Sequence, residues 1–280
     1  MWPGSGQGNT PPARAPEVLT PPPLTPRLPR VPYRDRPMPG HDPLAEGVAA
    51  LARRHALDQD AAARLTRLGD ALRVARWAPT TVRDPQGIAD RHLADSLAAL
   101  DLPEVRAART IADLGAGAGF PGLALAAALP ETEVTCLDSA GRKAAFMADL
   151  AAAAGLANAR AVAARAEEWR GGPVNLVTAR ALASLPVVLE YAAPLLRAGG
   201  VLVAWRGRRD PADEAQAARA AHDLGLGDAE VYRTAPFPAA TDHHLHRYVK
   251  RGPTPGRFPR RPGMARKRPL GHSLSDRAER

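Results

Sequence analysis

The feature that most limits the fold of this chain is an alternation of strand-like and helix-like segments from residue 109 onward. Short apolar runs alternate with stretches of helical character, including AEEW after the third run, and this pattern is typical of a parallel, doubly wound α/β sheet. The last two runs are separated only by the turn region APFPAATD, which predicts a closing hairpin and one antiparallel strand. The seven predicted strands are TIADL, EVTCLD, ARAVAA, VNLVTA, GVLVAW, AEVYRT and HHLHRYVKR.

Residues 43–107 precede this sheet and have a helical pattern. Apolar residues recur at i, i+3, i+4 and i+7 in PLAEGVAALARRHAL and in DAAARLTRLGDALRVARW, with charged residues on the other face. A third helix is expected to begin at Asp84-Pro85, a capping residue followed by proline, and to continue through GIADRHLADSLAAL. Because amphipathic helices need an apolar surface to cover, we expect them to pack on the face or an edge of the sheet in residues 108–250.

The two ends of the chain differ from its middle in composition. Thirteen of the 29 prolines lie in the first 43 residues, so residues 1–42 are predicted to be a disordered extension, unless the start codon has been placed too far upstream. Residues 247–280 contain 11 Lys and Arg and two acids, which accounts for the whole formal charge of +9. The excess positive charge thus lies at the C-terminal end of the chain, most of it in a basic C-terminal tail, residues 251–280.

Composition excludes several classes of protein. No run approaches the roughly 18 uncharged apolar residues that cross a bilayer, and an apolar signal segment is lacking, so we expect a soluble, cytoplasmic protein without a membrane partner. Cys136 is the only cysteine, which excludes a disulfide framework and a cysteine-based zinc site. His243 and His244 point to opposite faces of a strand, so with His246 they predict no metal site.

The stretch DLGAGAGFPG, residues 113–122, follows a predicted strand and precedes a predicted helix, and it contains two overlapping glycine motifs. From Gly117 it is a G-x-G-x-x-G, typical of a dinucleotide site. From Asp113 it is an acid-x-G-x-G-x-G, typical of enzymes that use S-adenosylmethionine. The dinucleotide interpretation leaves Gly115 unexplained and places the Asp113 carboxylate near a pyrophosphate, which would repel it.

S-adenosylmethionine carries a sulfonium, an ammonium and one carboxylate but no phosphate, so an acid in the loop is favourable. Asp113 is expected to act through the ammonium or through an ordered loop amide, and Gly115, Gly117 and Gly119 form the loop. Asp138 ends the second predicted strand, where an acid accepts both ribose hydroxyls of either cofactor. Ala166 and Glu167 follow the third strand, where a backbone amide and an acid are placed to hold an adenine edge.

The methyl acceptor is limited by what the chain lacks. Adenine-N6 methyltransferases carry an Asn/Asp-Pro-Pro-aromatic turn after the fourth strand, where this chain reads TARALA. Methylation at C5 of a pyrimidine requires a cysteine nucleophile, and Cys136 lies elsewhere. The acceptor is therefore another type of atom.

Six ordered segments resemble the 16S ribosomal RNA (guanine-N7) methyltransferase G family, also called the glucose-inhibited division protein B family. The similarity covers about residues 45–271. The segments are RDPQGIADRHLADSL, DLGAGAGFPGLALA, LDSAGRKAAFM, RAEEW, TARALASL and RFPRRPGMARKRPLG. Ala78-Pro79-Thr80 departs from the family, which usually has Asn-Leu-Thr there.

The resemblance implies a class I methyltransferase fold and transfer of a methyl group from S-adenosylmethionine to N7 of one guanine in the decoding-region loop of 16S rRNA. By similarity, the cofactor is contacted by Gly115, Phe120, Ala166, Glu167 and Arg180. The lone pair of guanine N7 needs no deprotonation, so no general base is required and positioning supplies most of the rate. Possible substrate contacts are His92 and Asp95, which with Ser96 match a family segment, and Arg180. For Arg180 we expect the cofactor carboxylate, an RNA phosphate or a structural salt bridge as its partner.

The basic tail agrees with an RNA substrate. Between Lys250 and Arg268 there are eight basic residues and no acid, spaced by Pro and Gly, a composition expected to follow a phosphate backbone and not to pack into a core. Phe258 is placed to stack on a base. The predicted RNA-binding residues are Arg257, Arg260, Arg261, Arg266, Lys267 and Arg268. The expected partner is 16S rRNA or the small subunit, bound by a monomer; a small-molecule methyltransferase and a non-catalytic RNA-binding protein remain alternatives.

Overall fold

The computed structural model describes residues 42–271, and it contains the predicted mixed sheet. The strand order is β3-β2-β1-β4-β5-β7-β6; β7 runs antiparallel to β5 and β6, and the other pairings are parallel. The predicted fold class is thereby confirmed. The strands are β1 Thr110–Leu114, β2 Glu133–Asp138, β3 Ala159–Ala163, β4 Val174–Arg180, β5 Leu196–Arg206, β6 Glu230–Thr234 and β7 His243–Val249. The predicted disorder of residues 1–41 and the last part of the tail, residues 272–280, lie outside the described residues.

Helices cover both faces of this sheet. They are α1 Pro43–His55, α2 Gln59–Val74, α3 over residues 85–101, α4 Pro103–Arg106, α5 Gly122–Ala128, α6 Gly141–Ala154, α7 Leu185–Ala192, α8 Pro211–Asp223 and α9 Met264–Lys267. The predicted helical character of AEEW is wrong, because residues 166–168 form a turn. The Glu168 and Trp169 N–H groups both donate to the Arg165 carbonyl, so a single turn forms, and Gly171 and Gly172 follow it as poor helix formers. In the described part of the chain, no helix is long and apolar enough to cross a membrane.

The N-terminal helices begin at aspartates, as their sequence indicates. Asp42, Asp58 and Asp84 each accept a hydrogen bond from a backbone N–H of the first turn that follows, which satisfies an otherwise unpaired donor. The expected packing on the sheet is only partly correct, because α2 packs on α5 and α6, which already cover that face. Helix α3 reaches the sheet itself, where the Trp205 side chain of β5 donates to the backbone carbonyl of Asp95 at 2.8 Å.

Helix α3 is continuous but changes its hydrogen-bonding pattern along its length. An α-helical turn, Pro85–Gly87, leads into a π-helical stretch, Ile88–Ala94, which is followed by α-helix over Asp95–Leu97 and a 3₁₀ turn over Ala98–Asp101. Wide π-helical turns occur frequently at functional sites. Here the π-helical stretch contains His92 and ends next to Asp95, two of the residues singled out from the sequence.

The C-terminal segment, residues 257–271, packs on the sheet domain. Phe258 and Ala265 are buried there, and Arg260 donates from its backbone and its guanidinium to the buried carboxylate of Glu190. The expectation that this composition does not pack into a core is therefore wrong for the described part of the tail. The reason is that Glu190 supplies a buried countercharge from α7, far away in the sequence.

Candidate cofactor and substrate site

The glycine loop after β1 requires glycine for two physical reasons. Gly115, Gly117 and Gly119 have φ angles of 65°, 59° and 95°, a left-handed region that side chains rarely adopt. A Cβ on Gly115 would also lie 2.4 Å from the Leu182 side chain, and one on Gly119 would lie 2.5 Å from Leu123. The loop is thus closely packed against its neighbours.

Asp113 lies beneath this loop and is completely buried. Its carboxylate accepts hydrogen bonds from the Thr178 hydroxyl and from the Gly122 backbone N–H, each at 2.8 Å. Burial raises the pKa of Asp113 to about 6. The sequence allowed two roles for Asp113, a contact with the cofactor ammonium or with a loop amide, and the structure has the contact with a loop amide. Asp113 orders the loop from below, and its side chain is shielded from the cavity above. Gly122 is also explained, since a Cβ there would lie 2.5 Å from Cys136 Sγ.

Asp138 ends β2 beside the loop. Its carboxylate accepts from the N–H groups of Gly117 at 3.2 Å and Ala140 at 3.0 Å, and it pairs with Lys143 at 3.4 Å. It lies at the carboxyl end of the parallel strands, where open α/β sheets bind their ligands. Asp138 therefore faces the place at which a ribose is expected.

A cavity of about 230 Å³ lies at this edge of the sheet. Four residues predicted from the sequence line it: Gly115, Asp138, Ala166 and Glu167. Phe120 and Arg180 are not among its lining residues and belong to the cluster described next. Among the other lining residues, sequence reasoning missed Leu182 and Tyr191 and assigned Arg266 to RNA, because nothing in the local sequence indicates that β4, α7 and the C-terminal segment meet here.

The Arg180 cluster, formed by His92, Asp95, Phe120 and Arg180, joins α3 to the glycine loop and the end of β4. Arg180 Nη1 donates to Asp95 Oδ2 at 2.7 Å and to the Arg91 carbonyl at 2.9 Å. The His92 ring stacks on Phe120 with a centroid separation of 4.6 Å and an interplanar angle of 15°. The structure thus brings together the three predicted substrate contacts. Of the three kinds of partner expected for Arg180, the structure has the salt bridge, which is formed with Asp95.

His92 is held neutral by its surroundings. Burial, and then the charge of Arg180, lower its pKa to about 4. Its Nε2 lies 3.3 Å from the Val82 carbonyl and 3.2 Å from the Thr80 hydroxyl, and its Nδ1 lies 3.5 Å from Arg180 Nη2. These partners assign the proton to Nε2 and leave Nδ1 as an acceptor toward Arg180. Ser96 is fully buried and donates its hydroxyl hydrogen bond to the His92 carbonyl.

The predicted RNA-binding residues divide into two groups. Arg260 is bound to Glu190, and Arg266, although exposed, donates to the Leu182 carbonyl at 2.9 Å while lining the cavity. Arg257, Arg261, Lys267 and Arg268 are exposed. The suggestion that Phe258 stacks on a base is wrong for this conformation, because its ring is buried.

The histidines of β7 have separate surroundings. His246 is buried and its Nε2 lies 3.1 Å from Glu214, and His244 Nδ1 lies 3.0 Å from the Gly207 carbonyl. His243 packs edge-on against Phe237. Within residues 42–271, no group of three or more His, Cys, Asp or Glu is arranged to hold a metal ion.

Two solved structures of methyltransferases have a similar fold. An S-adenosylmethionine-dependent O-methyltransferase from Thermotoga maritima is 15% identical with a TM-score of 0.50, over 66% of this chain and 71% of the other. The apo form of the S-adenosylmethionine-dependent methyltransferase SibL is 18% identical with a TM-score of 0.50, over 76% and 70%. The strand order, the glycine loop and the acid that ends β2 define a class I S-adenosylmethionine-dependent methyltransferase.

The particular family follows from sequence comparison. The family model "rRNA small subunit methyltransferase G" matches residues 75–234. Proteins called ribosomal RNA small subunit methyltransferase G are 39% identical in a Synechococcus strain, over 69% of this chain and 78% of the relative, and 40% identical in Chloroflexus aggregans, over 70% and 83%. The chain belongs to this family, and it is an S-adenosylmethionine-dependent rRNA methyltransferase.

The cavity has the groups that this cofactor needs. Gly115 lines the cavity without a side chain, Asp138 supplies acceptors for a ribose diol, and Glu167 follows β3 beside the Ala166 backbone. The residues that line the cavity therefore fit S-adenosylmethionine.

Proposed function

We propose that this enzyme transfers a methyl group from S-adenosylmethionine to N7 of one guanine in the decoding-region loop of 16S rRNA. The main support is that the family match over residues 75–234 includes the Arg180 cluster and every residue that lines the cofactor cavity beside it except Arg266. The cofactor supplies an electrophilic methyl group. The protein has to hold the cofactor and the guanine in line and to exclude water.

Within the cavity, Asp138 accepts the ribose hydroxyls, and Ala166 and Glu167 hold the adenine edge. Gly115, Gly117 and Gly119 form the loop that approaches the cofactor, and Asp113 keeps that loop in place through Gly122. Asp138 already accepts from the Gly117 N–H at 3.2 Å, so the acid and the loop are aligned before any ligand enters. Such preorganisation lowers the cost of binding.

The guanine binds at the Arg180 cluster. N7 attacks through its own lone pair, so none of these side chains has to remove a proton. Positive charge moves onto the purine during transfer, and an isolated arginine nearby would oppose it. Asp95 neutralises Arg180 at 2.7 Å, and His92 is neutral because its pKa is lowered to about 4. The cluster therefore presents a rigid, nearly neutral surface to the substrate.

The exposed cations of the C-terminal segment contact phosphates. Arg257, Arg261, Lys267 and Arg268 are exposed, so they bind RNA while Arg260 and Arg266 keep the segment in place. The substrate is 16S rRNA, free or in the assembled small subunit, and the enzyme acts as a monomer in the cytoplasm, where that RNA is found.

Mapping 7-methylguanosine in 16S rRNA from cells with and without this gene tests the proposal. One such site is expected to disappear on deletion and to return with the wild-type gene. Asp138→Ala should fail to restore it, because the ribose contact is lost, whereas Asp149→Ala on the exposed face of α6 should restore it fully. Survival of every 7-methylguanosine site after deletion would contradict the proposal, and loss of RNA binding in Asp138→Ala would point to misfolding and not to chemistry.

A further inference from the structure

The C-terminal segment contributes Arg266 to the wall of the cofactor cavity. Arg266 lines the cavity together with Leu182, and its Nη2 donates to the Leu182 carbonyl at 2.9 Å. This places a residue of the basic tail next to the turn that follows β4. A tail that only followed RNA would have no reason to make this contact.

Two further contacts fix the position of this wall. The Gly263 backbone N–H donates to Glu167 Oε1 at 3.0 Å. Arg260 Nε donates to Glu190 Oε1 at 2.9 Å, and the Glu190 side chain has no exposed surface. The segment therefore contacts the same glutamate that is expected at the adenine edge, and it is anchored on a buried charge one helix away.

Glu167, Tyr191 and Arg266 are neighbours in this part of the cavity. Tyr191 is buried, and its hydroxyl lies beside both the Glu167 carboxylate and the Arg266 guanidinium. Burial, followed by the Glu167 carboxylate, raises the pKa of Tyr191. Arg266 uses one donor on the Leu182 carbonyl, and its planar guanidinium carries further N–H groups that can donate to ring nitrogens, which are acceptors.

We propose that Arg266 is a cofactor-binding residue that contacts the adenosine part of S-adenosylmethionine, so that the C-terminal segment completes the cofactor site. This inference rests on the proposed function, because it takes S-adenosylmethionine as the ligand of the cavity. It also means that one segment serves two ligands: Arg266 faces the cofactor, and the exposed Lys267 and Arg268 next to it face RNA.

Calorimetric binding of two ligands tests this assignment. S-adenosylhomocysteine carries both the adenosine and the amino-acid part, whereas 5′-methylthioadenosine lacks the amino-acid part. Arg266→Ala is expected to weaken both at least tenfold, and Lys267→Ala, an exposed cation on the same short helix, should change neither by more than twofold. Unchanged binding in Arg266→Ala would overturn the inference, and a loss confined to S-adenosylhomocysteine would overturn the adenosine assignment.

Hydrogen exchange provides a second readout that does not depend on a substitution. In the wild-type protein, S-adenosylhomocysteine is expected to slow exchange of backbone amides in residues 260–268 at least fivefold, including the Gly263 N–H. Equal exchange with and without ligand would contradict the inference. If the wild-type protein binds no S-adenosylhomocysteine at all, the proposed function itself fails, so the two failures are distinguishable. Circular dichroism of Arg266→Ala checks that the variant is folded.

Discussion

The N-terminal helices and the C-terminal segment both lie outside the sheet, and they are attached to it in different ways. The N-terminal helices bury a continuous set of leucines, of which Leu65, Leu68 and Leu72 are completely inaccessible. The C-terminal segment buries one aromatic ring, Phe258, and one alanine, Ala265, and is otherwise held by polar contacts to Glu167, Glu190 and the Leu182 carbonyl. The N-terminal helices are therefore attached mainly by apolar packing, and the C-terminal segment is attached mainly by polar contacts.

This difference indicates how each segment serves the site. Each fully buried leucine stabilises the fold by about 1.5–3 kcal/mol, so the N-terminal helices cannot separate from the sheet without unfolding it. The Arg180–Asp95 pair is therefore rigid. The C-terminal segment can detach locally, since release of Arg260 and Glu190 to water removes few apolar contacts. Local opening of this kind is common at ligand-binding segments.

The largest expected effect is on the N-terminal attachment. Leu68→Ala should lower the free energy of unfolding by about 2–5 kcal/mol, because a cavity remains in a closely packed layer. Val74→Ala, at an exposed position of the same helix, should change it by less than about 0.5 kcal/mol. Urea unfolding followed by circular dichroism measures both. A similar small loss in the two variants would mean that these helices are not part of the core.

The N-terminal attachment is also expected to depend on pH. The folded-state pKa of His92 is lowered from 6.5 to about 4, so its contribution to stability is present above pH 6.5 and is lost as the pH falls toward 4, by about 3 kcal/mol. The pKa of Asp113 is raised from 3.8 to about 6, so its contribution is present at low pH and falls as the pH rises through the same window. The two slopes oppose each other in the wild-type protein.

His92→Gln should therefore reveal the pH dependence that Asp113 gives to the free energy of unfolding. Between pH 4 and pH 6, we expect the free energy of unfolding of this variant to fall with rising pH, while that of the wild-type protein changes much less. Urea unfolding at several pH values measures the slopes. Identical slopes in the two proteins would contradict the assignment of a buried, neutral His92.

The fold was predictable from sequence because its signals are local. Alternating apolar runs and helical stretches determine the sheet, and Asp84 before Pro85 marks the start of α3. The glycine loop was predictable because positive φ angles and close packing limit its residues to glycine. Asp138 and Glu167 followed from their places after strands, which the topology brings to one edge.

The role of the C-terminal segment was not predictable in the same way. Arg260 meets Glu190 across 70 residues, and Arg266 meets Leu182 across 84, so no periodicity connects them. Pro, Gly and Arg also suggest a solvated chain when no buried countercharge is known. Composition correctly indicated the positive charge of the tail but could not identify which of its arginines anchor the segment.

A smaller and local effect is expected at the C-terminal attachment. Arg260→Ala would leave Glu190 as an unpaired buried charge, which costs about 3–5 kcal/mol in a rigid protein, and detachment of the segment avoids that cost. We therefore expect trypsin to cleave within residues 261–268 at least tenfold faster, with a change in global stability below about 1 kcal/mol. Arg261→Ala, at an exposed position, is the control, because it also removes one arginine from the segment but leaves the Arg260–Glu190 pair intact. Unchanged cleavage would show that the Arg260–Glu190 pair does not hold the C-terminal segment in place.

The smallest expected effect is on RNA affinity. Lys267→Ala and Arg268→Ala should each weaken binding to a 16S rRNA fragment a few-fold and should lower the slope of log affinity against log salt by about 0.7–0.9, the value for one phosphate contact. Arg73→Ala, an exposed cation of α2 paired with Asp70, should change neither quantity. Filter binding at several salt concentrations measures the slopes, and equal slopes in all variants would place the RNA elsewhere.

The most direct test of the function is transfer of a labelled methyl group by the purified protein. S-adenosylmethionine with a trideuterated methyl group is incubated with small-subunit rRNA from the deletion strain, and the nucleosides are analysed by mass spectrometry. We expect trideuterated 7-methylguanosine at a single guanine with the wild-type protein and none with Asp138→Ala. Label in another nucleoside, or no label with a wild-type protein that binds S-adenosylhomocysteine, would contradict the proposed function.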